Sequence, residues 1–137
     1  MTKAQKLKLV NWSLLVAMTL TLGTAIILEA TDSRSVLLVW IHIGIALAAM
    51  LLGVEHVRLH YGWKKWFEKF AKQKKQALRI LWWLFLLVAA SALAATIHWI
   101  ASGGVHHAIG GIHGKIGFLM LAFAIGHVAK RINYFKR

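Results

Sequence analysis

The stretch 40–63, WIHIGIALAAMLLGVEHVRLHYGW, decides how this 137-residue chain is read. His42 and His56 stand fourteen residues apart in it, on an otherwise apolar run. An α-helix turns about 100° and rises about 1.5 Å per residue, so fourteen residues fall within ~40° of four full turns and climb ~21 Å. Both imidazoles therefore share a helix face, one near each end of a hydrocarbon core ~30 Å thick. A second stretch, 112–135, IHGKIGFLMLAFAIGHVAKRINYF, repeats the arrangement with His113 and His127. The chain's eight histidines make twenty-eight pairs, of which chance would put about 0.4 at this spacing. Two such pairs, both inside apolar runs, mark a built pattern.

Two further apolar runs precede these. Together the four occupy 12–28, 36–54, 80–100 and 112–128, each close to the ~20 residues a helix needs to cross a bilayer. The expected fold is an all-α integral membrane protein forming one membrane domain, a bundle of four transmembrane helices over about 12–29, 36–60, 78–101 and 111–130, with a basic loop at 61–77. Trp12, Trp40, Trp82, Trp83 and Trp99 fall near the span ends, where an indole sits well at the headgroup level. A basic start, an apolar run and then Ala30 also fit a cleaved signal peptide. A retained first helix is the expectation, because its removal would break the internal symmetry described below.

The charge of +13 turns out to be a matter of topology. Lys3, Lys6 and Lys8 precede the first span, and Lys130, Arg131, Lys136 and Arg137 follow the last. Arg58, Lys64, Lys65, Lys69, Lys72, Lys74, Lys75 and Arg79 lie between the second and third. Fifteen basic residues thus fall on one side, against Arg34 and Lys115 on the other. The positive-inside rule puts both termini and the long loop in the cytoplasm, and no nucleic-acid partner is needed to explain the charge. The segment 64–79, KKWFEKFAKQKKQALR, carries Trp66, Phe67 and Phe70 among its cations. It is expected to form an amphipathic helix lying on anionic lipid, with docking of a cytoplasmic protein as the alternative.

With the N-terminus inside, the second and fourth spans both run outside to inside. His42 and His113 then share the outer level, and His56 and His127 the inner. Two facing histidines at one depth can supply both axial nitrogens of a haem iron, and two levels make two haems b. The chain has no cysteine, so any haem is held without thioether linkage. Small residues separate the ligands on each face: Ala46, Ala49 and Gly53 on one, Gly117 and Ala124 with Met120 on the other. Such stripes leave room for a porphyrin, and also favour plain helix packing. A zinc site needs three or four ligands converging on one point, whereas these histidines are separated in pairs.

The remaining polar residues take supporting parts. His60 and Arg131 lie one turn beyond His56 and His127, where they can reach inner-haem propionates. His98, His106 and His107 stand at the outer end, as a solvated loop or as contacts to outer propionates or an external partner. Glu55 points away from the His42–His56 face and is expected to pair with Arg58 or another cation. Arg58, Arg79, Lys130 and Arg131 surround the inner level, which on charge alone gives the inner haem the higher potential.

Offsetting the chain by 71 residues lays His42 on His113 and His56 on His127. It also lays Trp12 on Trp83, Leu22 on Leu93, Ile26 on Ile97, Ile45 on Ile116, Lys65 on Lys136 and Trp63 on Tyr134. Both halves run in–out–in, giving two parallel helical-hairpin repeats about an axis along the membrane normal.

Through the two histidine-bearing segments quoted above the chain resembles the membrane cytochromes b, most closely the flavinylation-associated cytochrome domain family. The spacing is also similar to that of the cytochrome b subunit of the bc complexes, a much larger protein. The resemblance implies haem ligation by His42, His56, His113 and His127, and electron transfer across a bacterial cytoplasmic membrane. It further implies an extracytoplasmic flavoprotein acceptor on a separate chain; the donor is left open between quinol, a cytoplasmic reductase and other reductants. The alternative from another class is a haem-free transporter or channel that uses the histidines for protons or metal ions.

Overall fold

The computed structural model describes residues 1–32, 35–64, 66–104 and 108–131. Arg34, Lys65, His106, His107, Tyr134, Lys136 and Arg137, all used above, lie outside the described residues. Among the described residues five helices follow one another: α1 (Lys3–Ala30), α2 (Val36–Tyr61), α3 (Trp66–Ala71), α4 (Gln76–Ala101) and α5 (Ala108–Ala129). Among the described residues there is no strand. The four long helices are each long and apolar enough to cross a membrane, with mean hydropathy of 1.7 to 2.4 over their most apolar windows. The all-α, four-span class expected from the sequence is thus what the chain adopts.

Local chemistry sets the helix ends. Thr2 and Gln5 form a capping box before α1: Thr2 Oγ1 accepts from the Gln5 amide (3.3 Å), and Gln5 Oε1 accepts from the Thr2 amide (2.8 Å). This cap lets α1 begin nine residues ahead of Trp12, where the apolar run starts. Ser35 caps α2 by accepting from the Leu38 amide at 3.3 Å. Gly62 ends α2 with φ 74° and ψ 171°, a region of backbone space that is essentially restricted to glycine.

The segment 64–79 departs from the expected surface helix. Only Trp66–Ala71 is helical as α3, and Gln76 to Arg79 already belong to α4. Lys72, Gln73, Lys74 and Lys75 separate the two. Lys72 and Lys75 stand at i,i+3, where like charges are unfavourable on a helix, and Lys74 and Lys75 sit ahead of the α4 N-terminus, whose partial positive charge disfavours them. Inside α3 the sequence is kinder, since Glu68 reaches Lys72 across one turn.

The chain divides into two compact units, Met1–Trp66 and Phe67–Arg137. In the first, α1 packs against α2; in the second, α4 packs against α5. Each unit is thus a helical hairpin, and the cut between them falls close to the boundary of the 71-residue repeat. Large apolar side chains such as Leu20, Leu47, Leu51, Leu93 and Ile125 are more than half exposed, as suits helices whose solvent is lipid. Trp12, Trp40 and Trp83 are also about half exposed, in keeping with interfacial anchors. Trp82 differs from that expectation. It is only 8% exposed and stacks on Phe85 with ring centroids 5.8 Å apart, so its indole packs inward instead of anchoring at the headgroups.

Candidate functional site

All four histidines singled out by spacing lie on the second helix of a hairpin. His42 and His56 are on α2, His113 and His127 on α5, and all four are half-buried. Three of them are tied to the first helix of their own hairpin through Nδ1. His42 Nδ1 meets Thr24 Oγ1 at 2.8 Å, His56 Nδ1 meets Asn11 Oδ1 at 2.8 Å, and His113 Nδ1 meets Ser91 Oγ at 3.1 Å.

The surrounding bonds bear on which atom donates. Thr24 Oγ1 also lies 3.0 Å from the Leu20 carbonyl and 2.9 Å from the Thr21 carbonyl. With its one proton directed at either carbonyl, its oxygen accepts from His42. Ser91 has the same option, its hydroxyl 3.1 Å from the Val88 carbonyl, and its oxygen then accepts from His113. Asn11 presents a carbonyl oxygen, which has no proton to give. In that arrangement Nδ1 carries the hydrogen and Nε2 the lone pair in all three imidazoles.

This is the tautomer a metal-ligating histidine needs when it binds through Nε2. The two nitrogens of an imidazole direct their bonds widely apart, so a ring held through Nδ1 to its own hairpin partner turns Nε2 away from that partner. The donor set therefore fits axial ligation of haem iron: neutral imidazoles, oriented from behind, on a membrane helix. Small residues line the same helices. Ala49 and Gly53, between His42 and His56, are buried. A Cβ built on Gly117, one turn beyond His113, meets no atom within 4 Å among the described residues.

The ladder in the first hairpin has a regular geometry. Asn11 and Thr24 are thirteen residues apart on α1, and their partners His56 and His42 are fourteen apart on the antiparallel α2. Sequence reasoning found the histidines and missed Asn11, Thr24 and Ser91. A signal was present: the polar residues at 11 and 24 echo the histidine spacing, and Ser91 is the one hydroxyl between Arg79 and Thr96.

Other expectations find their places within single units. Glu55 forms a two-pronged ion pair with Arg58, whose Nε and Nη2 each donate to one carboxylate oxygen. The Arg58 charge counted toward the inner level is thus compensated at its source. His60 lies against His56, ring centroids 4.6 Å apart and planes tilted by 57°; His56, not His60, bonds Asn11. His98 closes the end of α4, its carbonyl accepting from the Ser102 amide at 3.0 Å. The members of each expected haem pair come from different units, so their pairing belongs to the functional proposal.

Comparison with known family models, curated proteins and solved structures gives no match. The functional argument is carried by the residues themselves.

Proposed function

We propose that the chain is a four-helix transmembrane cytochrome that holds two haems b and relays electrons across a bacterial cytoplasmic membrane. His42 and His113 would hold the outer iron, His56 and His127 the inner. The observation that carries this reading is the combination of matched fourteen-residue spacing with hydrogen bonds that tie His42, His56 and His113 through Nδ1 to the preceding helix. Hydrogen-bonded histidines scattered through a membrane protein have no reason to share both features.

Haem b supplies a reversible one-electron iron couple. The protein's own part is to present neutral nitrogen donors at two depths, to keep water from them with apolar helices, and to place charge nearby. Asn11, Thr24 and Ser91 hold the rings. With Arg58 compensated by Glu55, the positive field at the inner level comes from Arg79, Lys130 and Arg131. The basic residues of 61–77 face the cytoplasm and suit a surface of anionic lipid. The proposed acceptor is an extracytoplasmic flavoprotein, as the resemblance to flavinylation-associated cytochromes implies, and the candidate donors are quinol or a cytoplasmic reductase.

The test is direct. Protein purified from haem-replete cells is expected to be red, with a b-type reduced-minus-oxidised spectrum and two haems per chain. His42→Ala and His113→Ala remove one spectral component, and His56→Ala and His127→Ala the other. Colourless protein refutes the proposal and returns the histidines to a route for protons or metal ions.

A further inference from the structure

The three groups behind the histidines are of two chemical kinds. His42 and His113 donate to aliphatic hydroxyls, of Thr24 and Ser91. His56 donates to an amide carbonyl, that of Asn11, at 2.8 Å. An amide oxygen is the stronger acceptor, because resonance places negative charge on it. Pulling on Nδ1–H shifts electron density onto Nε2 and makes the imidazole a more basic ligand. A more basic axial ligand favours the ferric over the ferrous state.

We infer that Asn11 is a positioning residue that locks His56 as the Nδ1–H tautomer and thereby lowers the potential of the haem His56 ligates. The second half of this rests on the di-haem reading; the first half does not. Asn11 contributes no bond to iron and no charge. It acts only through His56, and it opposes the cations of the inner level, whose field raises the same potential. The sequence offers no equivalent group in the second hairpin: offset by 71, Asn11 falls on Trp82, whose indole nitrogen can donate but not accept.

The test uses full-length protein and two substitutions of opposite sign. Asn11→Leu removes the acceptor, and Asn11→Asp replaces it with a charged and stronger one. Redox titration of the wild type resolves two components. Asn11→Leu is expected to raise one of them by up to about tenfold in the reduction equilibrium, or ~59 mV for one electron. Asn11→Asp is expected to lower the same component, which is also the one lost in His56→Ala, and the other stays in place. A merely structural role would move both variants the same way.

Nitrogen-15 NMR of the haem-free protein, with His56→Ala to assign the signals, separates the two halves. His56 is expected to show a protonated Nδ1 in the wild type, and mixed tautomers in Asn11→Leu. A His56 tautomer indifferent to Asn11→Leu overturns the inference whether or not haem binds. Colourless protein with a tautomer that responds to Asn11→Leu sinks the haem reading and keeps the Asn11–His56 assignment. Red protein in which neither variant moves a potential overturns the tuning. Should Asn11→Leu fail to fold, Asn11→Asp alone decides, since a potential that fails to fall contradicts the argument.

Discussion

Replacing Thr24 by Val removes one oxygen and keeps the β-branched shape and its preferred rotamer. In the wild type that oxygen lies 2.8 Å from His42 Nδ1, 2.9 Å from the Thr21 carbonyl and 3.0 Å from the Leu20 carbonyl. Both carbonyls remain acceptors in the helix ladder after the change, so the loss that matters is the acceptor for His42 Nδ1–H. A donor removed from water and left unsatisfied costs about 1–3 kcal/mol, which is roughly 5- to 150-fold in an equilibrium constant. Losing the group that orients a metal-bound histidine typically costs about 10–100-fold in affinity, an overlapping range reached independently. Titrating haem-free protein with haem, followed at the Soret band, should therefore show one of two sites weakened by ~10–100-fold in Thr24→Val, and the other unchanged. Thr21→Val is the control: its hydroxyl makes the same kind of bond, to the Ala17 carbonyl at 2.8 Å, and reaches no histidine in the described contacts. If Thr24→Val and Thr21→Val bind haem alike, the tautomer argument is wrong.

Ser91→Ala is expected to weaken the same haem as Thr24→Val, because His42 and His113 are proposed to share it; the double variant then departs from additivity, measured by the same titration. Weakening of the other haem would contradict the pairing. Gly62→Ala is expected to lower stability in detergent by about 1–3 kcal/mol, since φ 74° with ψ 171° suits glycine alone. Among the described residues no atom outside its chain neighbours lies within 4 Å of the added Cβ, so the cost is one of backbone. Gly23→Ala, on the helical and equally open α1 site, should stabilise by up to about 1 kcal/mol, and equal effects of the two would refute the backbone argument. For orientation, green fluorescent protein fused at the C-terminus is expected to fluoresce in a bacterial host, and alkaline phosphatase fused after Gly103 to be active. The reverse pattern would overturn the placement of the fifteen basic residues inside.

The fold was legible because its main requirements are collective. Four apolar runs of the right length need no particular partner to become helices in lipid, where each backbone group must be satisfied within its own segment. Details that depend on one neighbour were less so. Trp82 and Trp83 are adjacent and chemically identical in sequence, yet one is 8% exposed and the other 50%, a difference that helix rotation decides. The interruption after α3 turns on a local balance: Trp66–Ala71 has aromatic residues and a Glu68–Lys72 pair to support it, while the next residues set three lysines close together. Hydrophobic patterning reads such a segment as continuous, because it does not count the repulsion.

The candidate site divides along the same line, and the division bears on how the two hairpins work. Histidine spacing repeats at an offset of 71, and so was visible without any structure. The groups behind the histidines do not repeat: Thr24 falls on Ala95, Asn11 on Trp82, and Ser91 on Leu20. Ser91 serves His113 from one turn before the position that Thr24 would predict. A ligand must stand at a fixed depth to meet its mate, so its position along the helix is constrained in both halves at once. Its hydrogen-bond partner need only reach Nδ1, and a hydroxyl a turn away does so as well as one at the matched site. Symmetry is therefore expected in the ligands, and freedom in their supports. On the proposed di-haem reading, that freedom is where two centres with identical ligand sets would acquire different potentials, the difference on which electron transfer in one direction across a membrane depends.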